Sequence, residues 1–231
     1  MQLELKFLGR GSAFNPACGN TNAYFEIGGD LFFMDFGESA FSKAVKHLRL
    51  ESRNRIVVLL THLHADHAGS LASLISYSYC VLGKQVLLVH PVDTVVEMLR
   101  LQGIAASFYE YRPALPEEYP VRAEALEVDH APDMRCFGYF LYDQEHRIFY
   151  SGDTSRLHER VREALLAGEL DRVYHDVASH ESASHCYVQR ILDAVPEPLL
   201  GRIHAMHLDS DCADGFRNMG LSVVEVACGP Q

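Results

Sequence analysis

The run Thr61-His62-Leu63-His64-Ala65-Asp66-His67-Ala68-Gly69 constrains this chain more than any other part of its sequence. Four side chains that can bind a metal fall within positions 62–67, directly after the apolar segment Arg55–Leu60, which is typical of a buried strand. Because His62 and His64 lie two residues apart at the end of that strand, both imidazoles point to the same side. Burying such a cluster without a cation would be costly. We therefore predict a metal site here, with zinc favoured and manganese or iron as alternatives.

Side chains from other parts of the chain must complete this site, because one short segment cannot surround two metal ions. Three candidates share a position just after a predicted strand: His130, Asp153 and His207. Taken alone, each has an ordinary alternative as a turn residue, an acid at a helix start or a core histidine. Their common placement at strand ends favours the ligand interpretation. His204 ranks second to His207 because it falls inside a predicted strand.

Hydrophobic patterning predicts strands that come first and then alternate with helices. The predicted strands are Leu3–Leu8, Ala23–Ile27, Leu31–Asp35, Arg55–Leu60, Val86–Val89, Ala125–Val128, Cys136–Tyr142, Arg147–Tyr150, Arg172–Asp176, Arg202–Met206 and Leu221–Val226. The predicted helices are Ser39–Leu50, His67–Val81, Pro91–Leu101, Leu157–Leu166 with Thr154 as its cap, and Ser184–Ala194. Residues 103–123, rich in Tyr, Pro and Glu, are predicted to form a surface segment or lid. Two packed sheets with helices outside would satisfy this α/β pattern within one domain, 1–231.

Composition and charge restrict the kinds of partner that this chain is expected to bind. The formal charge is −11 and the only basic clusters are short, such as Lys46-His47-Leu48-Arg49, which argues against a long nucleic acid partner. The thirteen histidines point to metal chemistry. The six cysteines form no C-x-x-C pair, the N-terminus does not resemble a signal peptide, and no apolar run approaches the roughly 18 residues of a membrane helix. We expect a cytoplasmic protein with reduced thiols and no membrane span.

The chain resembles the metallo-β-lactamase fold superfamily and, within it, the tRNase Z-type phosphodiesterases. The resemblance covers nearly the whole chain, and the H-x-H-x-D-H motif at 62–67 is its most specific part. The other segments that carry it are Phe7-Leu8-Gly9-Arg10-Gly11-Ser12-Ala13, Met34-Asp35-Phe36-Gly37, Asp129-His130 with Cys136-Phe137-Gly138-Tyr139, and Ser151-Gly152-Asp153-Thr154.

This resemblance implies an αββα four-layer sandwich, with a site for two divalent metal ions at its edge. It implies one ion held by His62, His64 and His130. It implies a second ion held by Asp66, His67 and His207, with Asp153 bridging the two. It also implies a homodimer, in which residues 103–123 could reach a neighbouring active site.

Catalytic roles follow partly from the same resemblance. We expect Asp66 to be essential for turnover. His185 is the candidate general acid, since the tRNase Z group has a histidine in a similar segment, although a surface histidine at a helix start is the ordinary alternative. His175-Asp176-Val177-Ala178 resembles the group's His-Glu-Ala-Thr segment with Asp in place of Glu. Asp176 is therefore a further catalytic candidate, either moving a proton or orienting His185.

The substrate is inferred from what the chain lacks. Only residues 131–152 separate His130 from Asp153, so the long basic arm of tRNA-processing relatives is absent. A small phosphodiester, with cyclic mononucleotides as the leading choice, fits better. Gly19-Asn20-Thr21-Asn22-Ala23-Tyr24 is similar to a segment of the short phage and bacterial enzymes that degrade cyclic mononucleotides against Pycsar-type immunity. Three aromatic side chains either stack on a base or pack under a loop: Phe108, Tyr109 and Tyr111.

Three other functions remain open at this stage. The same metals could hydrolyse a carbon ester, lactone, β-lactam or thioester, although the Cys136–Tyr139 segment belongs to the phosphodiesterase side. An RNA 3′-end nuclease is a second alternative. A third is a protein that only sequesters a nucleotide, which the complete ligand set disfavours.

Overall fold

The computed structural model describes residues 3–227, and within this range the strands form two six-stranded sheets. In each sheet the strands are neighbours in chain order. The first sheet comprises β1 (Lys6–Gly9), β2 (Asn22–Ile27), β3 (Asp30–Met34), β4 (Ile56–Leu59), β5 (Val86–Val89) and β6 (Tyr109–Arg112). The second comprises β7 (Arg122–Val128), β8 (Cys136–Tyr142), β9 (Arg147–Tyr150), β10 (Arg172–Asp176), β11 (Ile203–Met206) and β12 (Ser222–Val223).

The two sheets share one connection pattern. The first three strands of each sheet run antiparallel, and the remaining pairs run parallel. Parallel neighbours need crossover connections, which are largely helical here. The helices are α1 (Ala40–His47), α2 (Ala65–Ala68), α3 (Leu71–Cys80), α4 (Thr94–Leu101), α5 (Glu159–Leu166), α6 (Val188–Ala194), α7 (Glu197–Leu200) and α8 (Ala213–Asn218). The carboxyl ends of the parallel strands therefore meet at one edge, where sites are commonly built.

Side-chain alternation along the strands divides the core into three layers. Phe32 packs between the sheets, whereas its neighbour Phe33 packs against the helices of the first half. In the second sheet, Tyr150 packs between the sheets and Phe149 packs against the opposite helices. The arrangement is helix, sheet, sheet, helix. The predicted αββα sandwich is confirmed.

The predicted single helix over His67–Val81 is wrong. Two helices, α2 and α3, occupy this region, and Gly69 and Ser70 separate them. The Ser70 hydroxyl donates to the carbonyl oxygen of Gly37 at 2.5 Å, and the Phe36 amide donates to the carbonyl of His67 at 2.6 Å. These bonds tie the segment to the end of β3, so tertiary contacts rather than helical periodicity set the break.

Two other helix starts were also wrong. Thr154 does not cap α5, because the side chain of His158 accepts the amide hydrogen bond at its first turn. The helix expected over Ser184–Ala194 begins only at Val188, so His185 lies in the preceding loop. Strands β1 and β12 and helices α1 and α4 are shorter than expected.

Residues 103–123 lie mostly at the surface, as one of the two alternatives expected, but they also supply a strand of the first sheet that sequence analysis missed. Strand β6 pairs in parallel with β5, and Tyr109 is buried there. Its Tyr-Glu-Tyr-Arg sequence alternates as in a half-covered edge strand, a signal that the surrounding Pro and Glu residues hide.

Two expectations about the environment of the chain can be compared with the structure. The five cysteines within residues 3–227 are free thiols, and Cys228 lies outside the described residues. In the described part of the chain, no helix is long and apolar enough to cross a membrane.

The layer between the sheets generates a stability prediction. Phe32 is fully buried there and stacks on Phe25 with ring centroids 4.8 Å apart. We expect Phe32→Ala to lower the free energy of unfolding by about 3–5 kcal/mol, because it removes a large buried side chain and leaves a cavity. Urea unfolding followed by circular dichroism measures this. Leu101→Ala, at a site 72% exposed, should shift stability by less than about 0.5 kcal/mol; equal costs would contradict the layer assignment.

Candidate metal centre

The edge where the strand ends meet carries the seven predicted ligands. The loop after β4 and the start of α2 supply four of them, and the loops after β7, β9 and β11 supply one each. Their ligand atoms fall into two clusters, each with all atoms within 4.8 Å of one another. The first cluster contains His62, His64 and His130, and the second contains Asp66, His67, Asp153 and His207.

The first cluster brings three imidazole nitrogens together. His64 Nδ1 lies 3.0 Å from His62 Nε2 and 3.2 Å from His130 Nε2. Two nitrogens bound to one tetrahedral zinc ion would lie about 3.3 Å apart. The remaining nitrogens of two rings have outer partners: His62 Nδ1 is 3.0 Å from the Thr61 hydroxyl, and His130 Nδ1 donates to the Ser184 carbonyl at 2.8 Å. Such outer bonds orient histidine ligands and direct their lone pairs inward.

The second cluster is buried and incompletely hydrogen-bonded. His67 Nδ1 donates to Asp35 Oδ2 at 2.8 Å, which leaves Nε2 facing the cluster. That Nε2 lies 3.2 Å from Asp66 Oδ2 and 3.1 Å from Asp153 Oδ1. Both His67 Nε2 and Asp153 Oδ1 are buried without a hydrogen-bond partner. A buried polar atom without a partner is costly, so these donor atoms fit a cation between them.

Asp153 lies between the two clusters. Its Oδ2 is 3.2 Å from His207 Nε2 in one cluster and 3.7 Å from His130 Nε2 in the other. Gly152 makes this placement possible, with φ +58° and a position so close to Thr61 that an added Cβ would lie 2.8 Å from the threonine Cβ. A left-handed, tightly packed position of this kind strongly favours glycine.

The charges of the site also call for cations. Four carboxylates are buried here: those of Asp35, Asp66, Asp153 and Asp176. Among the described residues, their ion-pair partners are all histidines. Burial lowers the pKa of His207, but Asp153 and Asp176 outweigh it and raise that pKa to about 10. Burial also lowers the pKa of His67, but Asp153 and Asp35 outweigh burial and raise that pKa well above its usual value. Divalent ions would supply the positive charge that protons otherwise bring.

The two acid–base candidates form a hydrogen-bonded pair beside the second cluster. His185 Nδ1 donates to Asp176 Oδ2 at 2.7 Å, and the His185 ring stacks on His207 at 4.8 Å. Burial lowers the pKa of His185, but the hydrogen bond to Asp176 and its charge raise it overall. Asp176 is fully buried, and its other oxygen lies 3.5 Å from His207 Nδ1. The carboxylate thus connects His185 to a ligand.

Two residues that support the candidate ligands could not be identified from sequence motifs alone. Asp35 accepts the Thr61 amide at 2.7 Å as well as His67, and only the family resemblance pointed to it. Thr21 accepts the backbone amide of His207 at 3.0 Å, and nothing in the sequence signals this contact. Asp35 and His207 adopt left-handed backbone conformations, with φ of 63° and 60°. Such strain in non-glycine residues clusters at functional sites.

Several sequence candidates lie away from the clusters. His204 faces Tyr174 with ring centroids 5.0 Å apart, and burial lowers its pKa to about 4. Phe108 stacks on Tyr79 at 4.2 Å, and the Tyr111 hydroxyl donates to the His90 carbonyl at 3.0 Å. Of the two alternatives for Phe108, Tyr109 and Tyr111, the structure supports packing, because these side chains pack around β5 and β6.

A cavity of about 860 Å³ opens over the clusters, within the size range of small-molecule sites. Asp66, Asp153 and His207 line it together with His185. None of the described lining residues is a lysine or arginine, and Glu38, Asp133 and Asp209 add negative charge. The segment Ser12–Phe14 also lines the cavity.

Solved structures with similar folds share the metallo-β-lactamase architecture. The metallo-β-lactamase fold protein YhfI from Bacillus subtilis superposes with a TM-score of 0.75 at 18% identity, covering 98% of this chain and 97% of that one. The short form of human tRNase Z gives a TM-score of 0.70 at 17% identity over 96% of each chain. A diphosphatase of the PhnP family gives 0.74 at 16% identity, over 96% and 94% of the two chains. The chain therefore has the predicted metallo-β-lactamase fold.

Relatives in sequence identify the family. The anti-Pycsar protein Apyc1 of Bacillus phage 010DV004 is 25% identical over 95% of this chain and 94% of its own length. The protein of the same name from Paenibacillus harenae is 27% identical over 89% of each. The sequence profile described as anti-Pycsar protein Apyc1 matches residues 3–108 and 107–221. Since these matches span most of the chain, the chain belongs to the anti-Pycsar protein Apyc1 family.

Proposed function

We propose that this protein is a metal-dependent phosphodiesterase that hydrolyses cyclic mononucleotides and thereby counters cyclic-nucleotide immune signalling. The observation that carries the proposal is the pair of ligand clusters sharing Asp153 beneath a cavity of about 860 Å³. The anti-Pycsar names of the relatives support the choice of substrate.

In this proposal, His62, His64 and His130 hold one divalent ion. Asp66, His67 and His207 hold a second, and Asp153 contributes to both. When bound, two such ions activate water and neutralise charge on a phosphodiester. Zinc is the favoured metal because of the imidazole and carboxylate ligands, and manganese is the alternative.

In this proposal, His185 donates a proton to the leaving group. Hydrolysis of a cyclic phosphodiester breaks one phosphorus–oxygen bond, and the ribose oxygen that leaves takes up a proton. His185 lines the cavity, and Asp176 occupies its Nδ1, which leaves Nε2 for proton transfer. Asp176 is buried away from the cavity, so we assign it a positioning role.

The cavity and the connection beside it support a small substrate. Residues 131–152 form only a loop and the β8–β9 hairpin, with no room for a long basic arm. The acidic side chains that line the cavity would repel the successive phosphates of an RNA 3′ end. A cyclic mononucleotide has a single charge, which the metal ions would meet. The homodimer and the cytoplasmic location remain predictions from the resemblance and from the cysteine pattern.

A substrate panel tests the proposed function directly. Metal-loaded protein is incubated with 2′,3′- and 3′,5′-cyclic mononucleotides, a lactone, a chromogenic β-lactam and a short RNA, and products are separated by chromatography. We expect linear mononucleotides from at least one cyclic substrate and slower reaction with the others. No linear product from any cyclic mononucleotide would refute the proposal. Turnover of the lactone or β-lactam alone would favour a carbon-ester hydrolase.

Loss of a ligand should remove metal and turnover together. We expect His67→Ala or Asp66→Ala to lower kcat/KM by more than about 100-fold, since even changes to outer partners of a metal site cost 10–100-fold. Metal content by plasma mass spectrometry should fall as well, while circular dichroism keeps its wild-type shape. His47→Ala, on α1 and outside both clusters, is the matched control. Full activity of either ligand variant would refute the assignment.

The His185 and Asp176 roles predict different outcomes. His185→Ala should lower kcat by about 10²–10⁴-fold with metal content unchanged, because it removes the proton donor. Asp176→Asn should cost less, about 10–100-fold, because the imidazole remains but loses its orienting charge. A double variant no slower than His185→Ala alone would show that Asp176 acts through His185. Wild-type kcat in His185→Ala would exclude it as the acid.

A further inference from the structure

A large aromatic side chain is exposed at the rim of the cavity above the metal centre. Phe14 is 96% exposed, the highest value among the exposed large hydrophobic side chains of residues 3–227. It lines the same cavity as Asp66, Asp153 and His207. A single exposed phenylalanine is ordinary on a protein surface, so it is the place of Phe14 in the lining of this cavity that suggests a role in binding.

The loop that carries Phe14 is fixed to the metal centre. The Ser12 amide donates to the Leu208 carbonyl at 3.0 Å, and the Leu208 amide donates to the Arg10 carbonyl at 2.8 Å. The side-chain amide of Asn15 also donates to the Leu208 carbonyl, at 3.0 Å. Because Leu208 follows the candidate ligand His207 in the chain, these bonds tie the loop on both sides of Phe14 to the neighbour of that ligand.

The Phe14 ring differs in kind from the other side chains that line the cavity. Among the described lining residues, Phe14 is the only phenylalanine or tyrosine. Glu38, Asp133 and Asp209 give the rim a negative charge, which repels a phosphate but not a neutral heterocycle. A nucleobase stacks on an aromatic face irrespective of its sequence identity.

We propose that Phe14 is the platform on which the base of a mononucleotide stacks while its phosphodiester lies at the metal centre. This inference rests on the proposed function and adds a residue that binds the substrate away from the reacting bond. Because the base stacks equally well in the ground state and in the transition state, loss of stacking should act mainly on KM. Stacking should also tolerate several bases, since every base offers a π face.

Steady-state kinetics with metal-loaded protein tests this role. We expect Phe14→Ala to raise KM for cyclic mononucleotides roughly 5- to 100-fold with a smaller change in kcat. Phe14→Trp should restore KM, because it returns an aromatic face. With ribose 3′,5′-cyclic phosphate, which has no base, the ratio of the Phe14→Ala KM to the wild-type KM should fall close to one. Leu101→Ala removes an exposed apolar side chain outside the cavity and is the matched control.

Fluorescence gives a readout independent of turnover. The sequence contains no tryptophan, so Phe14→Trp would introduce a single indole. We expect saturable quenching of its emission by mononucleotides and none by ribose 5-phosphate, which lacks the base.

The outcomes separate this inference from the proposed function. Hydrolysis of cyclic mononucleotides with an unchanged KM in Phe14→Ala would overturn the stacking role and leave the proposed function standing. Saturable quenching in a protein that hydrolyses no cyclic mononucleotide would refute the function and retain the stacking role. No quenching by any mononucleotide would overturn the stacking role.

Discussion

Negative charge buried at one edge of the two sheets is the constraint on which the rest of this structure depends. The carboxylates of Asp35, Asp66, Asp153 and Asp176 lie there. Their ion-pair partners among the described residues are histidines. Uncompensated charges of this kind would cost several kcal/mol each, so the sheets can pack this closely only if cations or protons balance them. The same buried carboxylates that make this edge costly to fold make its side-chain clusters fit for metal ions.

The backbone around the ligand loop is held by contacts that do not depend on metal. The end of β3 receives the loop after β4 through the Phe36–His67 and Glu38–Ala65 backbone bonds. Gly37 sits against the backbone of Asp66 so closely that an added Cβ would lie 1.7 Å from its carbonyl oxygen. Asp35, in a left-handed conformation, then bonds both the amide of Thr61 and the ring of His67. The candidate ligands are thus oriented by the fold, which would lower the cost of binding a metal ion there.

The candidate ligands could be located from the sequence because each follows a segment whose sequence predicts a strand. His130, Asp153 and His207 were located in this way, and the structure brings them into the clusters with the four residues at 62–67. What failed depended on contacts distant in sequence. The break between α2 and α3 is set by the carbonyl of Gly37, and the strand character of Tyr109–Arg112 by pairing with β5. The exposure of Phe14 likewise depends on how Leu208 anchors its loop.

The two halves of the chain have the same strand connections, yet they contribute to the site unequally. The half with β1–β6 supplies four candidate ligands from one segment, whereas the half with β7–β12 supplies three from separate loops, together with His185 and Asp176. Neither cluster is complete within one half: the first takes His130 from the second half, and the second takes Asp66 and His67 from the first. Each ion would therefore join the halves across the sheet edge, so that binding metal and packing the sheets stabilise each other. The shared Asp153 extends this coupling from one cluster to the other.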